Sequence, residues 1–265
     1  MAKACLLAVA LAIGMLSVLV AEDSLSVGPR FHWETSIDEN GFKGSQIAYG
    51  GELPLYKSYE GRPIIKLPPA VAINLPLGKT LSGRQSIREY SDQSINLSQL
   101  AAILYAADGI THARGGYDLR SAPSGGALYP IEIYVLAHAV DSLKPGLYHF
   151  QVADSSLALV REGDFRESIG KAALDHIWVG SSAATIVLTA RFERSTRKYG
   201  DRGYRYTYIE AGAICQNISL AATALQMGTA VVGAFVDDAL NEVIGIDGRK
   251  EAALLIMPVG HPSSE

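Results

Sequence analysis

The stretch "GRQSIREYSD" places Arg84, Ser86 and Arg88 at every second position. An extended segment points alternate side chains to one face, so two guanidiniums and a hydroxyl could meet there. Two arginine forks with a hydroxyl suit a phosphate dianion. With Glu89 and Asp92 alongside, the same stretch also fits a solvated charged loop. A second stretch, "RSAPSGGALYPIEIYVLA" (residues 120–137), puts Ser121, Pro123, Ser124, Gly125 and Gly126 just before a strand-like run. Glycine lacks Cβ, so a ligand can lie close to the backbone. Pro123 fixes its own φ and offers no N–H. The amides of Ser124 to Ala127 are then candidate donors to a heteroaromatic edge. The pattern is not GxGxxG, which excludes a Rossmann phosphate turn. A plain β-turn is the alternative.

Two further stretches carry suitable groups. In "MGTAVVGAF", Gly233 and Ala234 fall where backbone can face a planar ring, or where a helix simply joins a strand. "RSTRKYGDRGYRYTYIEAG" is dense in Arg and Tyr. Lys198 and Tyr199 have the chemistry of an acid/base pair. Arg202, Arg205 and Glu210 fit a salt-bridge network at a subunit interface equally well, and a solvated lid is the third reading.

The surrounding periodicity says what must hold these groups. Leu97, Leu100, Ile103, Leu104 and Ala107 fall on one helical face, with Asn96 to cap the helix and Gly109 to end it. Ile131, Ile133, Val135 and Ala137 alternate as one face of a strand. "GLYHFQVADSSLALVREGD" has the form of a hairpin turning at 153–156, and Asp164 with Glu167 resembles a capping box for a helix running to about Leu174. The run 184–190 reads as a central strand, 208–228 as a long helix, "DDALNEVIGI" as a helix and "AALLIMPVG" as a closing strand. Without a regular βαβ rhythm, these elements predict an α+β fold with a mixed sheet. Residues 22–79, punctuated by Gly and Pro, predict an extended lead-in arm with one short helix at most.

The chain has 265 residues and a net charge of -4, with no Lys/Arg-rich block, so nucleic acid is an unfavourable partner. No Cys or His spacing suggests a metal site. Of two cysteines, Cys5 lies in an apolar leader and Cys215 in the body, so stability must come from the core. The leader runs apolar or small from Ala4 to Ala21 after Lys3. It predicts either a signal peptide cleaved after Ala21 or an uncleaved membrane anchor. Both place the body outside the cytoplasm.

Taken in order, "RQSIREY", "SAPSGGALYPIEIYVLA", "GLYHF", "RKYGDRGYRYTYIEAGAICQNISLAATALQMGTAVVGAF" and "MPVG" resemble the FMN-dependent nitroreductase superfamily. Within it they are similar to the SagB-type dehydrogenases, relatives of oxidases that form thiazoles and oxazoles in peptides. The resemblance spans about residues 80–260. It implies a three-layer α+β homodimer with FMN at the interface, over a domain at 80–262. By motif, Arg84, Ser86 and Arg88 would hold the FMN phosphate and ribityl chain. Pro123, Ser124 and Gly125 would line the isoalloxazine, and Gly233 with Ala234 would offer backbone near its reactive nitrogen. Gln216 and Asn217 would lie near the interface. Many relatives have Arg after "PVG" where this chain has His261, and Arg where it has Gln85, which lowers the positive charge on the phosphate. The implied activity is ping-pong oxidoreduction of a small organic or peptide-linked substrate, with Lys198-Tyr199 moving a proton. Alternatives are a thiazoline or oxazoline dehydrogenase of peptide maturation, and a flavin-binding protein without turnover.

Overall fold

The run IEIYVLA forms the middle of the molecule. Ile131, Ile133, Val135 and Ala137 face one core, and Tyr134 and Leu136 face another on the opposite side. All seven residues of this strand are buried, as expected for a strand covered on both faces.

The computed structural model describes residues 26–38, 41–42 and 53–263; the leader expected over 1–21 lies outside them. In chain order the elements are α1 (Val27–Glu34), β1 (Ile37–Asp38), β2 (Gly41–Phe42), β3 (Ile64–Lys66), α2 (Leu77–Gly83), α3 (Leu97–Asp108), β4 (Ile110–Arg114) and β5 (Tyr117–Arg120). Next come β6 (Ile131–Ala137), β7 (Gly146–Gln151), β8 (Ser156–Glu162), α4 (Arg166–Ala172), β9 (Ala184–Ala190), α5 (Glu193–Tyr199), α6 (Arg202–Ala224), β10 (Gly228–Thr229), α7 (Asp237–Ile244) and β11 (Ala252–Gly260). Among the described residues no helix is long and apolar enough to cross a membrane.

Seven strands form one sheet in the order β10-β11-β9-β6-β7-β8-β3. The named strands pair antiparallel, and parallel pairing enters at the edge, where Ser86 bridges Thr229. Leu100, Ile103 and Leu104 of α3, with Ile214 and Ile218 of α6, cover one face. Ile169 of α4 and Leu240, Val243 and Ile244 of α7 cover the other. Each fully buried aliphatic side chain stabilises this three-layer stack by about 1.5–3 kcal/mol. Ile131, Ala190 and Ala252 lie at one level of the sheet, so the loop entering β6 sits on that end.

Local signals decide most boundaries. Asn96 accepts from the Gln99 amide while the Gln99 side chain accepts from the Asn96 amide, a reciprocal cap on α3. The hairpin of β7 and β8 turns where expected, with Ser155 left-handed at φ 50°. Asp164 accepts from the Arg166 amide, but α4 stops at Ala172, two residues short of Leu174. The long helix is displaced from 208–228 to Arg202–Ala224. Residues 110–120, for which the sequence predicts no strand, form the β4–β5 hairpin around Gly115 and Gly116. The arm at 22–79 carries two helix starts and an edge strand rather than extended chain alone.

Candidate active site

The loop 121–130 leaves β5 and enters β6 along the start of α6. A Cβ on Gly125 would stand 3.5 Å from Tyr206 of α6. At Gly126, with φ +71°, a Cβ would stand 2.5 Å from Tyr199 Oη and 2.9 Å from Lys198 Nζ. The structure therefore brings Lys198 and Tyr199 onto the glycine-rich loop. The Lys198 ammonium also lies 5.3 Å from the Tyr199 ring centroid. Pro123, Gly125 and Gly126 are exposed, so their backbone is open to a ligand.

This loop is strained. Ala127 (φ 54°) and Tyr129 (φ 45°) are also left-handed, which costs each of order 1–3 kcal/mol. Four contacts hold the shape. The Tyr129 amide donates to Ser124 Oγ at 2.9 Å, and Arg194 donates to the Tyr129 carbonyl at 2.7 Å. The Arg120 amide donates to the Tyr129 hydroxyl at 3.3 Å, and the Arg120 guanidinium stacks 4.1 Å over the Tyr129 ring. Ser124 therefore turns its hydroxyl inward, leaving its main chain to the bed.

Beneath the loop lies a buried ionic cluster. Arg120 pairs with Asp108 at 2.5 Å, Arg194 with Glu132 at 2.6 Å, and His149 with Glu132 at 2.8 Å. Burial works against the Glu132 anion, but His149 and Arg194 outweigh it and hold the carboxyl down at about 2. Burial pushes Asp108 up to about 7 against the pull of Arg120. Burial, reinforced by Asp108, pushes Glu210 up to about 8. Sequence reasoning offered Glu210 for a salt-bridge network at a subunit interface and passed over Asp108, Arg120, Tyr129 and Arg194. One signal was available: Glu210 shares a helical face with the apolar Ile214 and Ile218.

The proposed phosphate residues gather at the other end of the sheet. The Ile87 amide donates to the Thr229 carbonyl at 3.0 Å, and the Ser91 amide to the His261 carbonyl at 2.9 Å. Segments 84–91, 228–229 and 260–263 are thus laced together. Gly228 allows this, because a Cβ there would meet Ile87 at 2.6 Å. Arg84, Ser86 and Arg88 are exposed, and among the described residues neither guanidinium has an ion-pair partner. Arg88 stands 5.9 Å over Trp178, on an open cleft of about 710 Å³. Gly233 and Ala234 are exposed beside β11, where Val232 bridges Ile256. Since Gly228 is level with Gly260, Gly233 and Ala234 extend from the phosphate end towards the loop end. Gln216 is exposed on α6 and Asn217 is half-buried.

Comparisons with known proteins establish the family and the fold. The Nitroreductase family model matches residues 81–261. The chain is 38% identical to MJ1384 of Methanocaldococcus jannaschii, a protein assigned to the nitroreductases, over 74% of this chain and 95% of that one. It is 29% identical to the microcin B17-processing protein McbC of Escherichia coli, over 53% of this chain and 54% of McbC. Among solved structures, a nitroreductase-type protein from Ralstonia eutropha superposes with a TM-score of 0.66 at 27% identity, covering 82% of this chain and 98% of that one. One from Anabaena variabilis gives 0.69 at 26% identity, with 88% of this chain matching 46% of that longer chain. The ordered motifs, six of the seven strands of the sheet (β6 to β11) and the glycine-rich loop fall inside the matched segment, and the chain belongs to the nitroreductase family.

Proposed function

We propose that this chain is an FMN-dependent oxidoreductase of the SagB-type dehydrogenase branch, working by ping-pong exchange on a small organic or peptide-linked substrate. One observation carries the reading: Lys198 and Tyr199 converge on Gly126, in a loop whose backbone is exposed and whose shape is held by four contacts beneath it. The residues fit the cofactor. Arg84 and Arg88 offer uncommitted guanidiniums to a phosphate, and the amides of Ser124 to Gly126 offer donors to a heteroaromatic edge. His261 lies beside them, its carbonyl accepting from the Ser91 amide at 2.9 Å. When bound, FMN supplies hydride acceptance and return. The chain's own residues orient the ring on the loop and exclude water with the Tyr199–Tyr206 ring pair, whose centroids are 4.9 Å apart. Lys198 and Tyr199 hold the proton that leaves or joins the substrate.

A homodimer completes the site in this reading. Ile209, Gly212 and Gln216 form one exposed stripe on α6, and Ile209 is 69% exposed. A partner's long helix would cover that stripe.

The similarity to proteins named for microcin and trifolitoxin processing favours a second reading, oxidation of azoline rings in a peptide. The test is a purified preparation of the chain, scanned in the visible and denatured to release FMN. Flavin bands are expected, and a colourless protein that cannot be loaded with FMN would sink both readings. Arg84→Ala with Arg88→Ala should lose FMN by at least tenfold in affinity, since each removes a charged phosphate contact worth about 1.5–3 kcal/mol. Assays with a nitroarene and with an azoline peptide separate the two substrate classes. A yellow protein idle on both is a flavin-binding protein.

A further inference from the structure

Two buried guanidiniums hold Tyr129 at the end of the glycine-rich loop. Arg194 donates to its carbonyl at 2.7 Å, and Arg120 lies 4.1 Å over its ring. The arm meets both arginines from outside the loop. Arg194 donates through Nε to the Pro54 carbonyl at 3.1 Å. The Arg120 guanidinium lies 5.4 Å from the Tyr56 ring centroid, close enough for a cation to be attracted to a ring face. The Tyr56 hydroxyl donates to Asp118 Oδ2 at 2.7 Å, so it also grips β5 just ahead of Arg120.

The arm is pinned to the sheet immediately afterwards. Lys57 donates to Glu251 at 2.7 Å and to the Tyr134 hydroxyl at 2.5 Å, and the Tyr59 and Tyr134 hydroxyls are 3.0 Å apart. Tyr134 belongs to β6, and Glu251 directly precedes β11. Contacts to the loop's arginines at 54 and 56 are thus backed by anchors at 57 and 59.

Burial gives these contacts their weight. The Arg120 side chain is 3% exposed and that of Arg194 is 2% exposed. Ionic contacts out of water are strong, and admitted water screens them. Tyr56 is half-buried beside Arg120, so removing its ring lets water reach that guanidinium and loosens its seat on Tyr129. Gly126, Ala127 and Tyr129 are left-handed. Backbone held in such a shape persists only while its surroundings enforce it.

We propose that Tyr56 is a positioning residue: with the Pro54 carbonyl it clasps Arg120 and Arg194 from outside, and so holds the turn from Gly126 to Tyr129 in the shape of the ligand bed. Pro54 and Tyr56 lie ahead of the family-matched segment, so the clasp is a contribution of the arm to that segment's site. The description of the bed as a flavin bed rests on the function proposed above; the clasp does not.

Amide hydrogen exchange on the full chain without FMN reads the turn directly. Tyr56→Ala should speed exchange of residues 126–129 by about five- to thirtyfold, through loss of one cation–ring contact and one hydrogen bond. Exchange in β6 and β9 should stay as it was. Tyr56→Phe keeps the ring and should restore most of the protection. Lys66→Ala removes the pair with Asp154 at 2.7 Å, elsewhere on the arm, and should leave residues 126–129 unchanged. Unchanged exchange of 126–129 in Tyr56→Ala would overturn the proposal. So would a phenylalanine variant as loose as the alanine one, or equal loosening by Lys66→Ala, which would make the effect one of arm docking in general. Titration with FMN separates the two readings. Severalfold weaker FMN binding by Tyr56→Ala, restored in Tyr56→Phe, supports both. A loosened turn in a chain that binds FMN unaltered, or not at all, keeps the clasp and rejects the flavin bed.

Discussion

At Gly126 one methyl group would fall on both polar ends of the Lys198-Tyr199 pair. Alanine there also meets a left-handed backbone, which costs an L-residue roughly 1–2 kcal/mol. Gly126→Ala should therefore lower turnover by roughly 10²-fold through misplacement, while shifting Tm by only a few degrees. Steady-state kinetics beside a thermal melt check this, and full turnover in the variant would remove Lys198 and Tyr199 from the site. At this scale the sequence was legible in part. The Arg84-x-Ser-x-Arg88 spacing and the Gly-rich run show residue type and order. They do not show that Ser124 turns inward, or that Lys198 reaches a loop 72 positions earlier.

The Arg- and Tyr-rich stretch, which has the composition of a surface lid, is a joint between elements. Gly200 (φ 55°) breaks α5 from α6, and Gly203 lets the backbones meet, since a Cβ there would stand 2.7 Å from the Ser195 main chain. The arginines then reach the arm. Arg202 donates to the Thr35 carbonyl at 2.9 Å, and Arg205 donates to Thr35 Oγ1 at 2.5 Å and to the His32 carbonyl. These groups lie at the C-terminal end of α1, where carbonyls are unpaired and cations are favoured. Arg205→Ala should release α1, costing about 1–2 kcal/mol, and expose residues 26–36 to protease well before the core unfolds. Limited proteolysis with mass mapping reads that difference; equal cleavage in both proteins would count against the joint. The helix α3 was readable because its cap and apolar stripe are local. The β4–β5 hairpin had a local signal too, since Gly115 and Gly116 are both left-handed as a two-residue hairpin turn requires. Its strands carry exposed residues, so periodicity gave no support.

For the whole molecule, buried charge makes stability depend on pH in an unusual direction. Asp108 and Glu210 are raised to about 7 and about 8. Each favours the folded state fully only below the ordinary carboxylate range, and the folded state loses that advantage as pH rises towards the folded value. Glu132, held at about 2, works oppositely: its contribution is present above 4.5 and fades as pH falls towards 2. Burial likewise lowers His138 to about 4, so its contribution fades as pH falls from 6.5. The raised pair dominates on the alkaline side and the lowered pair on the acid side. Thermal stability should peak at about pH 5 and fall towards pH 8. Scanning fluorimetry across that range checks it, and a flat profile would mean that water reaches the cluster. The α+β class was legible at this scale because each strand and helix carries its own pattern, whereas the three layers were implied by the family resemblance. The order of strands in the sheet was not legible, because it is set by pairings between distant segments.

The arm has a bearing on how such a chain can change over generations. Lys57 donates to Glu251 at 2.7 Å, and the same buried carboxylate accepts from Tyr134 and Thr189 at 2.8 Å each. Pro54 offers its carbonyl to Arg194 at 3.1 Å. Lys57 and Pro54 precede the family-matched segment, while Glu251 and Arg194 lie inside it. A crossover between relatives near residue 80 would deliver the acid without its base and the guanidinium without its carbonyl. What must be inherited together is therefore longer than the family-matched segment, and shuffled descendants should survive only where Lys57 and Glu251 travel as a pair.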